Sequence, residues 1–313
     1  MKAIVLETAG GTENLQMKDI AQPTPKDNEV LIETKAISVN PVDFKVRSND
    51  AVLSMIYGDA RPAILGWDVA GIVTATGDKV SKFKVGDKVF GMVNFVGMGN
   101  AYAEYVTAPE AHLATIPNGI SFEDAAATTL AALTALQVLQ HNIKKDDKVL
   151  IHAGSGGVGH FAIQIAKSLG AYVITTSSGK NKDFVLGLGA DEHIDYRTQA
   201  FQDIVKDVDF VFDVFNGDIL YHSVKVVKEG GKVVSIPTPE FSDDVLELAE
   251  SRQVDLSFLM VQSNGEDMNT LRALLENGSI KPFVSKTFRF EDMPKAHEQL
   301  ESGRTVGKVV VTL

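Results

Sequence analysis

Residues 148–178 have the sequence KVLIHAGSGGVGHFAIQIAKSLGAYVITTSS, and the rest of the chain is interpreted around this segment. It opens with a short apolar run that is typical of a buried parallel strand, and the run breaks into the turn Gly154–Gly159. Apolar residues then recur at helical spacing over 161–169, and 172–175 have the β-branched and aromatic character of a second strand. The pattern predicts a strand, helix and strand joined by a G-x-G-x-x-G turn.

The glycines of this turn suit a bound pyrophosphate. Gly154 permits the tight turn, Gly156 lets the backbone approach the phosphates, and Gly159 lets the helix pack closely on the strand. The free N–H groups at the helix start attract negative charge. Glycine clusters often mark ordinary loops, but both flanks here match the fingerprint, so the stretch predicts a dinucleotide site.

The end of the second strand predicts which dinucleotide binds. A site selecting NAD places a carboxylate there to bind the ribose 2′-OH. This chain has Thr176, Ser177 and Ser178, followed by Lys180 and Lys182. Hydroxyl and cationic groups favour a 2′-phosphate, so we expect NADPH over NADH. The alternative is that both lysines are ordinary solvated side chains.

Composition limits the remaining function classes. With 313 residues and 44% hydrophobic content, the chain predicts two packed domains. A formal charge of −11 argues against nonspecific nucleic-acid binding, and no apolar run is long enough for a membrane span. We expect a cytoplasmic protein without a signal peptide. Cysteine is absent, and no histidine pair has metal-ligand spacing, so no metal site is predicted; His152 and His160 are expected to pack or bond the backbone.

The N-terminal third shows short strands separated by turns, which predicts a small barrel. Pro41 restricts Asn40 to extended conformations, so the Asn40–Asp43 segment predicts a turn that points Asn40, Asp43 or Lys45 into a cleft. The alternative is that Asp43 caps a short helix and Lys45 is exposed. A single helix over 125–139, with Ser121 as N-cap, is expected to follow.

After residue 178, strand and helix patterns alternate to about residue 300. Repeated βα units predict an α/β fold with a doubly wound parallel (Rossmann) sheet that binds ligands at the carboxyl ends of its strands. We place this NADP(H)-binding domain at 121–282 and the substrate domain at 1–120, completed by 283–313. The apolar run Leu256–Val261 is expected to be a sheet-edge strand.

Taken together, the segments resemble the medium-chain dehydrogenase/reductase superfamily, in its zinc-independent quinone oxidoreductase branch. The motifs that carry the resemblance, in the order of the family and over nearly the whole chain, are SVNPVDFKVR (38–47), GWDVAGIV (66–73), FKVGDKVFG (83–91), AYAEYV (101–106), LTAL (133–136), AGSGGVG (153–159), IDYR (194–197) and GRTVGKVVV (303–311). The resemblance implies that the first domain is a GroES-like β-barrel.

The resemblance also implies a set of residues that contact NADP(H). Besides Gly154 and Gly156 of the turn, these are Lys45, Gly157, Val158, Ser177, Ser178, Gly179, Lys180, Asn181, Tyr196, Ile236, Phe258, Leu259, Met260, Arg304 and Thr305. Gly157 and Val158 would bind the phosphates, and the set 178–181 with Tyr196 would bind the 2′-phosphate end. Ile236 and 258–260 would border the nicotinamide, and Arg304 and Thr305 would reach across the cleft.

The chain departs from the zinc-dependent alcohol dehydrogenases of this superfamily. They carry Cys where this chain has Asn40, and a His-Glu pair where it has Trp67-Asp68. Without zinc as a Lewis acid, alcohol oxidation is disfavoured. The resemblance is closest to enone and alkenal reductases, which implies hydride transfer from the nicotinamide to a quinone or an α,β-unsaturated carbonyl. Negative charge then develops on the acceptor oxygen, and Lys45, with Asn40 second, is the expected donor to it.

Other readings stay open at this point. An enoyl-thioester reductase would use the same scaffold, although the acidic chain shows no basic patch for a long phosphopantetheine substrate. A non-catalytic NADPH-binding or sensory protein would keep the glycine turn without turnover. The resemblance also implies a homodimer, and the sheet-edge strand is the expected interface.

Overall fold

The computed structural model describes all 313 residues, and their contacts divide the chain into two compact units. Unit 1 comprises Met1–Leu133 and Gln262–Leu313, and unit 2 comprises Thr134–Val261. These bounds differ from the sequence-based ones, because two helices expected in the nucleotide domain pack on strands of unit 1. None of the helices is both long and apolar enough to cross a membrane.

Unit 2 contains one six-stranded, fully parallel sheet. Its strands are β9 (Lys148–Ile151), β10 (Tyr172–Ser177), β11 (Glu192–Asp195), β12 (Val208–Asp213), β13 (Val227–Ser235) and β14 (Asp255–Phe258). The spatial order is β11-β10-β9-β12-β13-β14, so the chain reverses its direction of progress between β9 and β12. Ligands of doubly wound sheets bind at such a reversal, and the predicted glycine turn directly follows β9.

Helices alternate with these strands, as the periodicity predicts. They are α4 (Leu130–Leu139, which begins in unit 1), α5 (Gly159–Ser168), α6 (Lys182–Gly187), α7 (Phe201–Ile204), α8 (Asp218–Val226) and α9 (Asp243–Ser251). The apolar faces of α8 and α9 bury Leu220, Val224 and Val245 against the valine-rich strands. This packing leaves the carboxyl ends of the strands to carry the polar residues.

Unit 1 contains a three-stranded sheet and a seven-stranded sheet. The strands are β1 (Lys2–Leu6), β2 (Leu15–Asp19), β3 (Glu29–Val39), β4 (Ala63–Ile64), β5 (Asp68–Thr76), β6 (Lys88–Met92), β7 (Tyr105–Pro109), β8 (Leu113–Thr115), β15 (Val284–Arg289) and β16 (Lys308–Thr312). The closing strand β16 pairs antiparallel with β3, which confirms that the C-terminal segment returns to the first domain.

The helices of unit 1 are α1 (Pro41–Ser48), α2 (Asp50–Tyr57), α3 (Phe122–Ala127), α10 (Gly265–Glu276) and α11 (Met293–Glu301). The first two, α1 and α2, follow β3 directly. The expected turn at 40–43 is therefore the first turn of α1. The segment 48–62 contains α2, capped by the Asn49 side chain.

Two elements differ from the sequence-based expectation. The helix expected over 125–139 is broken at Thr128 into α3 and α4, although Ser121 caps its start as predicted, accepting from the Asp124 N–H at 3.0 Å. The break exists because the Asp68 carboxylate of β5 accepts the Leu130 N–H at 2.9 Å and starts a new helix there. The edge strand β14 ends at Phe258, so 259–261 lie beyond it.

Candidate functional site

The glycine turn of unit 2 is built so that two of its glycines are required by packing. A Cβ added to Gly154 would lie 2.0 Å from Thr175 Oγ1, and one added to Gly159 would lie 2.2 Å from the Ala153 carbonyl oxygen. A Cβ on Gly156 would meet only the Ala153 carbonyl oxygen, at 3.2 Å. The side of Gly156 that is free of protein atoms is the place where a phosphate can approach the backbone.

The start of α5 offers hydrogen-bond donors for that phosphate. The N–H of Gly156 is bound to the Ala153 carbonyl at 2.8 Å, whereas the N–H groups of Gly157 and Val158 find no backbone acceptor. Orphan N–H groups at a helix start, together with the helix dipole, form an anion site. The turn therefore fits the pyrophosphate of a dinucleotide.

The residues expected at the adenosine end come together at the ends of β10 and β11. Ser177 and Ser178 are buried, and the Ser177 hydroxyl bonds to His193 Nε2 at 2.9 Å. Lys180 is exposed, and Asn181 donates to the hydroxyl of Ser155 at 2.9 Å. That last bond joins the segment after β10 to the glycine turn, so the groups expected at both ends of a dinucleotide share one edge of the sheet.

Two further groups at this end were not singled out from the sequence. Asp195, the last residue of β11, lies so close to Gly179 that a Cβ there would be 2.4 Å from its Oδ2. Its Oδ1 accepts the Arg197 N–H at 3.0 Å, and the Arg197 guanidinium lies 5.9 Å from the ring centroid of Tyr196. Tyr196 itself is 59% exposed, which leaves its ring free to stack on a base.

The ends of β12, β13 and β14 continue the same edge. Ile236 donates its N–H to the Asp213 carbonyl at 3.2 Å, and Leu259 donates its N–H to the Ser235 carbonyl at 3.0 Å. Ile236, Phe258 and Leu259 are half-buried and Met260 is exposed. Burial raises the pKa of Asp213 to about 7, while its bond from the Ser235 hydroxyl at 2.9 Å opposes that rise.

Unit 1 holds a buried polar cluster around Asn40, the residue before α1. Asn40 is 1% exposed, and its amide nitrogen donates to Asp68 Oδ2 at 2.7 Å and to the Ser38 carbonyl at 3.4 Å. Its amide oxygen accepts from the Lys308 ammonium group. Both ends of the amide are thus occupied, and this geometry favours a positioning role for Asn40 over the donor role expected from the sequence.

Asp43 begins a second chain of hydrogen bonds in this cluster. Its Oδ2 accepts the backbone N–H of Asn40 at 2.7 Å, which caps α1, and the Tyr102 hydroxyl at 2.9 Å. His297 Nε2 lies 3.0 Å from that hydroxyl, and Arg47 Nε donates to His297 Nδ1 at 3.3 Å. Because Arg47 can only donate, His297 carries its proton on Nε2, and the chain runs from Arg47 through His297 and Tyr102 to Asp43.

Electrostatics keep this second chain close to neutral. Burial raises the pKa of Asp43 to about 7, which its hydrogen bond from Asn40 opposes. Burial, with the neighbouring Arg47 charge, lowers the pKa of His297 to about 3. Arg47 is itself buried and bonds the Glu301 carboxylate and the Gly10 carbonyl. A neutral imidazole therefore lies between the Tyr102 hydroxyl and Arg47, whose charge is compensated by Glu301.

The remaining expected residues of unit 1 are simpler. Lys45 is an exposed residue of the last turn of α1 and has no ion pair. This is the alternative reading of the segment, in which Asp43 caps a short helix and Lys45 is exposed. Arg304 is exposed, and Thr305 is half-buried and donates to the Gln299 carbonyl at 3.2 Å.

The two histidines singled out from the sequence, His152 and His160, have structural partners. His160 Nδ1 lies 2.9 Å from the Gly156 carbonyl oxygen, which confirms the expected backbone bond. His152 lies between the Thr176 and Ser223 hydroxyls, at 3.2 and 2.9 Å, and burial lowers its pKa to about 3.

Trp67 is buried and donates to the Gly97 carbonyl at 2.7 Å, which anchors the segment 94–100. Nowhere in the chain do three or more His, Cys, Asp or Glu side chains form a group that could hold a metal ion.

Comparisons with known proteins agree with this architecture. Residues 26–118 match the family described as alcohol dehydrogenase GroES-like domain, and residues 188–311 match the family described as zinc-binding dehydrogenase. The second family's name refers to a metal, but Asn40 and Trp67 stand at two of the positions where the resemblance implies ligands in zinc-dependent members.

Three similar proteins cover the chain almost completely. The 2-methylene-furan-3-one reductase of Solanum lycopersicum is 34% identical over 99% of this chain and 79% of its own length. The quinone oxidoreductase of Coxiella burnetii has a structure with a TM-score of 0.93 at 37% identity, covering 100% of this chain and 99% of its own. That of Escherichia coli, complexed with NADPH, has a TM-score of 0.89 at 30% identity and covers 100% of both chains.

A GroES-like barrel joined to a doubly wound sheet with a pyrophosphate turn defines a nucleotide-dependent oxidoreductase. The chain belongs to the medium-chain dehydrogenase/reductase superfamily, in the group that contains the quinone oxidoreductases and enone reductases.

Proposed function

We propose that the protein is an NADPH-dependent reductase that transfers hydride to quinones or to α,β-unsaturated carbonyl compounds without a metal ion. The observation that carries the proposal is the edge of unit 2, where Ser178 and Lys180 follow β10 and Asn181 is bonded to Ser155 of the glycine turn. The names of the similar reductases and quinone oxidoreductases support the substrate class.

Residues of unit 2 would hold the cofactor in an extended form along this edge. The N–H groups of Gly157 and Val158 would bind the pyrophosphate, and Ser178 with Lys180 would bind the 2′-phosphate through charge-assisted hydrogen bonds. Tyr196 would stack on the adenine, and the ends of β13 and β14 would border the nicotinamide. When bound, NADPH supplies the hydride and its two electrons.

In unit 1, Lys45 is the proposed catalytic residue. Its exposed ammonium would donate to the oxygen of the acceptor, where negative charge develops during hydride transfer. Asn40 would hold the start of the helix that carries Lys45. Water is the proposed source of the final proton, since the buried acids Asp43 and Asp68 are engaged within the protein.

The zinc-independent reading rests on the chemistry of the donor set. The Asn40 amide and the Asp68 carboxylate are bonded to each other, and Asp68 also caps α4. A catalytic zinc site needs three protein ligands of nitrogen, sulfur or carboxylate type, and of these two residues only Asp68 carries such a group, both oxygens of which already accept hydrogen bonds.

The test is the oxidation of NADPH, with NADH as control, against ortho- and para-quinones, short enones and an enoyl thioester, each with and without a chelator. The proposal expects NADPH-selective turnover of quinones or enones that a chelator leaves unchanged. Turnover of the thioester alone would identify an enoyl-thioester reductase. Tight NADPH binding without any turnover would indicate a binding or sensory protein.

We also propose a homodimer formed through β14. This strand pairs only with β13, so one of its edges is open, and Leu256 and Phe258 on it are half-buried. Sedimentation equilibrium should give twice the chain mass of 33.7 kDa, and a monomer would contradict the proposal. A cytoplasmic location stays a prediction that cell fractionation can test.

A further inference from the structure

Lys308 is a lysine whose charged end lies inside the protein. It is the first residue of β16 and is only 3% exposed, which is rare for a lysine. Its ammonium group donates to the amide oxygen of Asn40 and lies 3.5 Å from the Val39 carbonyl oxygen. Lys308 is not among the residues expected from the sequence to take part in binding or catalysis.

The topology of unit 1 explains why Lys308 reaches Asn40. Strand β3 lies between β16 and β5 and is antiparallel to both, so the end of β3 meets the starts of its two neighbours. Those starts are Lys308 and Asp68, and Asn40 follows the last residue of β3. The amide of Asn40 is therefore held by residues of both strands that flank β3.

This arrangement determines the orientation of the amide. An ammonium group can only donate hydrogen bonds and a carboxylate can only accept them. The amide oxygen must therefore face Lys308 and the amide nitrogen must face Asp68, where the distance to Oδ2 is 2.7 Å. Rotation of the amide by 180° would place like groups against each other on both sides.

The charges of the cluster make the lysine necessary. Asp68 is fully buried, and the other buried cation, Arg47, is already paired with Glu301. Burial lowers the pKa of Lys308 and raises that of Asp68, and the attraction between the two charges opposes both shifts. Removing one member would leave an uncompensated charge inside the barrel, whereas removing both would not.

We propose that Lys308 is a positioning residue of the reductase: together with Asp68 it locks the Asn40 amide and so places the first turn of α1, the helix that carries Lys45. The inference rests on the proposed function, because its effect is read in the reaction at Lys45. Misplacing a reacting group by about 1 Å can lower a rate by about 100-fold.

The test compares Lys308→Met, Asp68→Asn and the double variant in the full chain. Each is measured for melting temperature and for kcat and KM with NADPH and the best acceptor of the wild type. We expect both single variants to melt lower and to lose kcat by about tenfold or more, with KM for NADPH within about twofold, because the cofactor groups of unit 2 are intact.

The double variant separates positioning from stability. It lacks both members of the Lys308–Asp68 pair, so neither is left buried without the other and we expect its melting temperature to recover toward the wild-type value. Its kcat should stay low, since the Asn40 amide has lost the ionic partner on each side. Recovery of kcat together with melting temperature would overturn the inference and leave Lys308 with a purely structural role. Wild-type kcat in folded Lys308→Met would overturn it as well.

A matched control is Lys167→Met in unit 2. Like Lys308, Lys167 donates to a backbone carbonyl, that of Ala171 at 2.9 Å, and its second acceptor is the Asp191 carboxylate, at 2.7 Å. We expect Lys167→Met to lower the melting temperature slightly and to leave kcat unchanged. If the wild type turns over none of the acceptors, the proposed function fails and the role of Lys308 with it; if only the variants disagree, the role of Lys308 alone fails.

Discussion

Two glycines of the pyrophosphate turn should fail for different reasons when each is changed to alanine. In Gly154→Ala the new Cβ would lie 2.0 Å from Thr175 Oγ1 and 2.9 Å from Ile163 Cδ1. Thr175 Oγ1 cannot move freely, because it donates to the Ile151 carbonyl at 2.8 Å. Overpacking of this kind costs about 3 kcal/mol, which lowers the melting temperature by roughly 6–12 °C.

In Gly156→Ala the nearest protein atom would be 3.2 Å away, so a shift of a few tenths of an ångström relieves the contact. The φ angle of Gly156 is not positive, and alanine adopts it without strain. We expect a stability loss below about 1 kcal/mol. The methyl group would nevertheless occupy the approach of the phosphate and disrupt about two charge-assisted hydrogen bonds, which weakens NADPH binding by about 100-fold or more.

The assay is a melting curve and a fluorescence titration with NADPH for the wild type and the two variants. We expect Gly156→Ala to fold but to bind NADPH very weakly, and Gly154→Ala to be destabilised. Wild-type NADPH affinity in Gly156→Ala would refute the placement of the phosphates. Equal destabilisation of the two variants would refute the packing argument.

Three further changes test other parts of the site. Lys180→Glu should weaken NADPH binding far more than NADH binding, because the 2′-phosphate then faces a carboxylate. The control is Lys144→Glu, since Lys144 is also exposed but lies before β9. Equal weakening of NADPH and NADH binding by Lys180→Glu would exclude Lys180 as the residue that binds the 2′-phosphate. Lys45→Ala should lower kcat by about 10-fold or more with little change in NADPH affinity, and an unchanged rate would remove Lys45 from the mechanism. Asp43→Asn should gain stability relative to the wild type as the pH rises from about 4 to 7. Burial raises the pKa of Asp43 to about 7, so in this range the unfolded wild type releases the Asp43 proton, while the folded wild type, in which Asp68, Lys308 and Tyr102 flank the carboxyl group, keeps it and therefore loses stability; melting curves showing no trend or the opposite one would contradict this.

The doubly wound sheet was predictable because its signal is local. The strand before Gly154, the helix after it and the strand ending at Ser177 each have their own periodicity, and parallel strands bring their ends to one edge without further information. The bond between Asn181 and Ser155 follows from that geometry. The return of the C-terminal strand to the barrel was also predictable, but only through the resemblance of 303–311 to the family.

The buried cluster of unit 1 was not predictable from pattern. The helix expected over 125–139 is broken by Asp68, a residue some 60 positions away in the sequence, which accepts the Leu130 N–H. Lys308 is a single charged residue at the start of an apolar strand, and such a residue is common at strand ends in any sequence. The partners of both residues are set by the order of β16, β3 and β5, which only the tertiary structure reveals.

Asp195 and Arg197 illustrate a milder gap. Both lie in the segment 194–197 that carries the resemblance, but no local rule says that a residue ending the third strand approaches the loop after the second. The contact between Asp195 and Gly179 follows from the register of β10 and β11, in which Ser177 lies beside Asp195.

In the proposed reaction this chain carries a hydride from NADPH to an activated carbon–carbon double bond or a quinone. The most direct measurement mixes enzyme loaded with one equivalent of NADPH with an ortho-quinone or a short enone, in the presence of a chelator, and follows cofactor and product together. If the hydride is transferred as proposed, NADPH absorbance disappears in a single phase and one reduced acceptor forms for each NADPH consumed. Stable NADPH absorbance with every acceptor, in a protein that binds NADPH tightly, would contradict it.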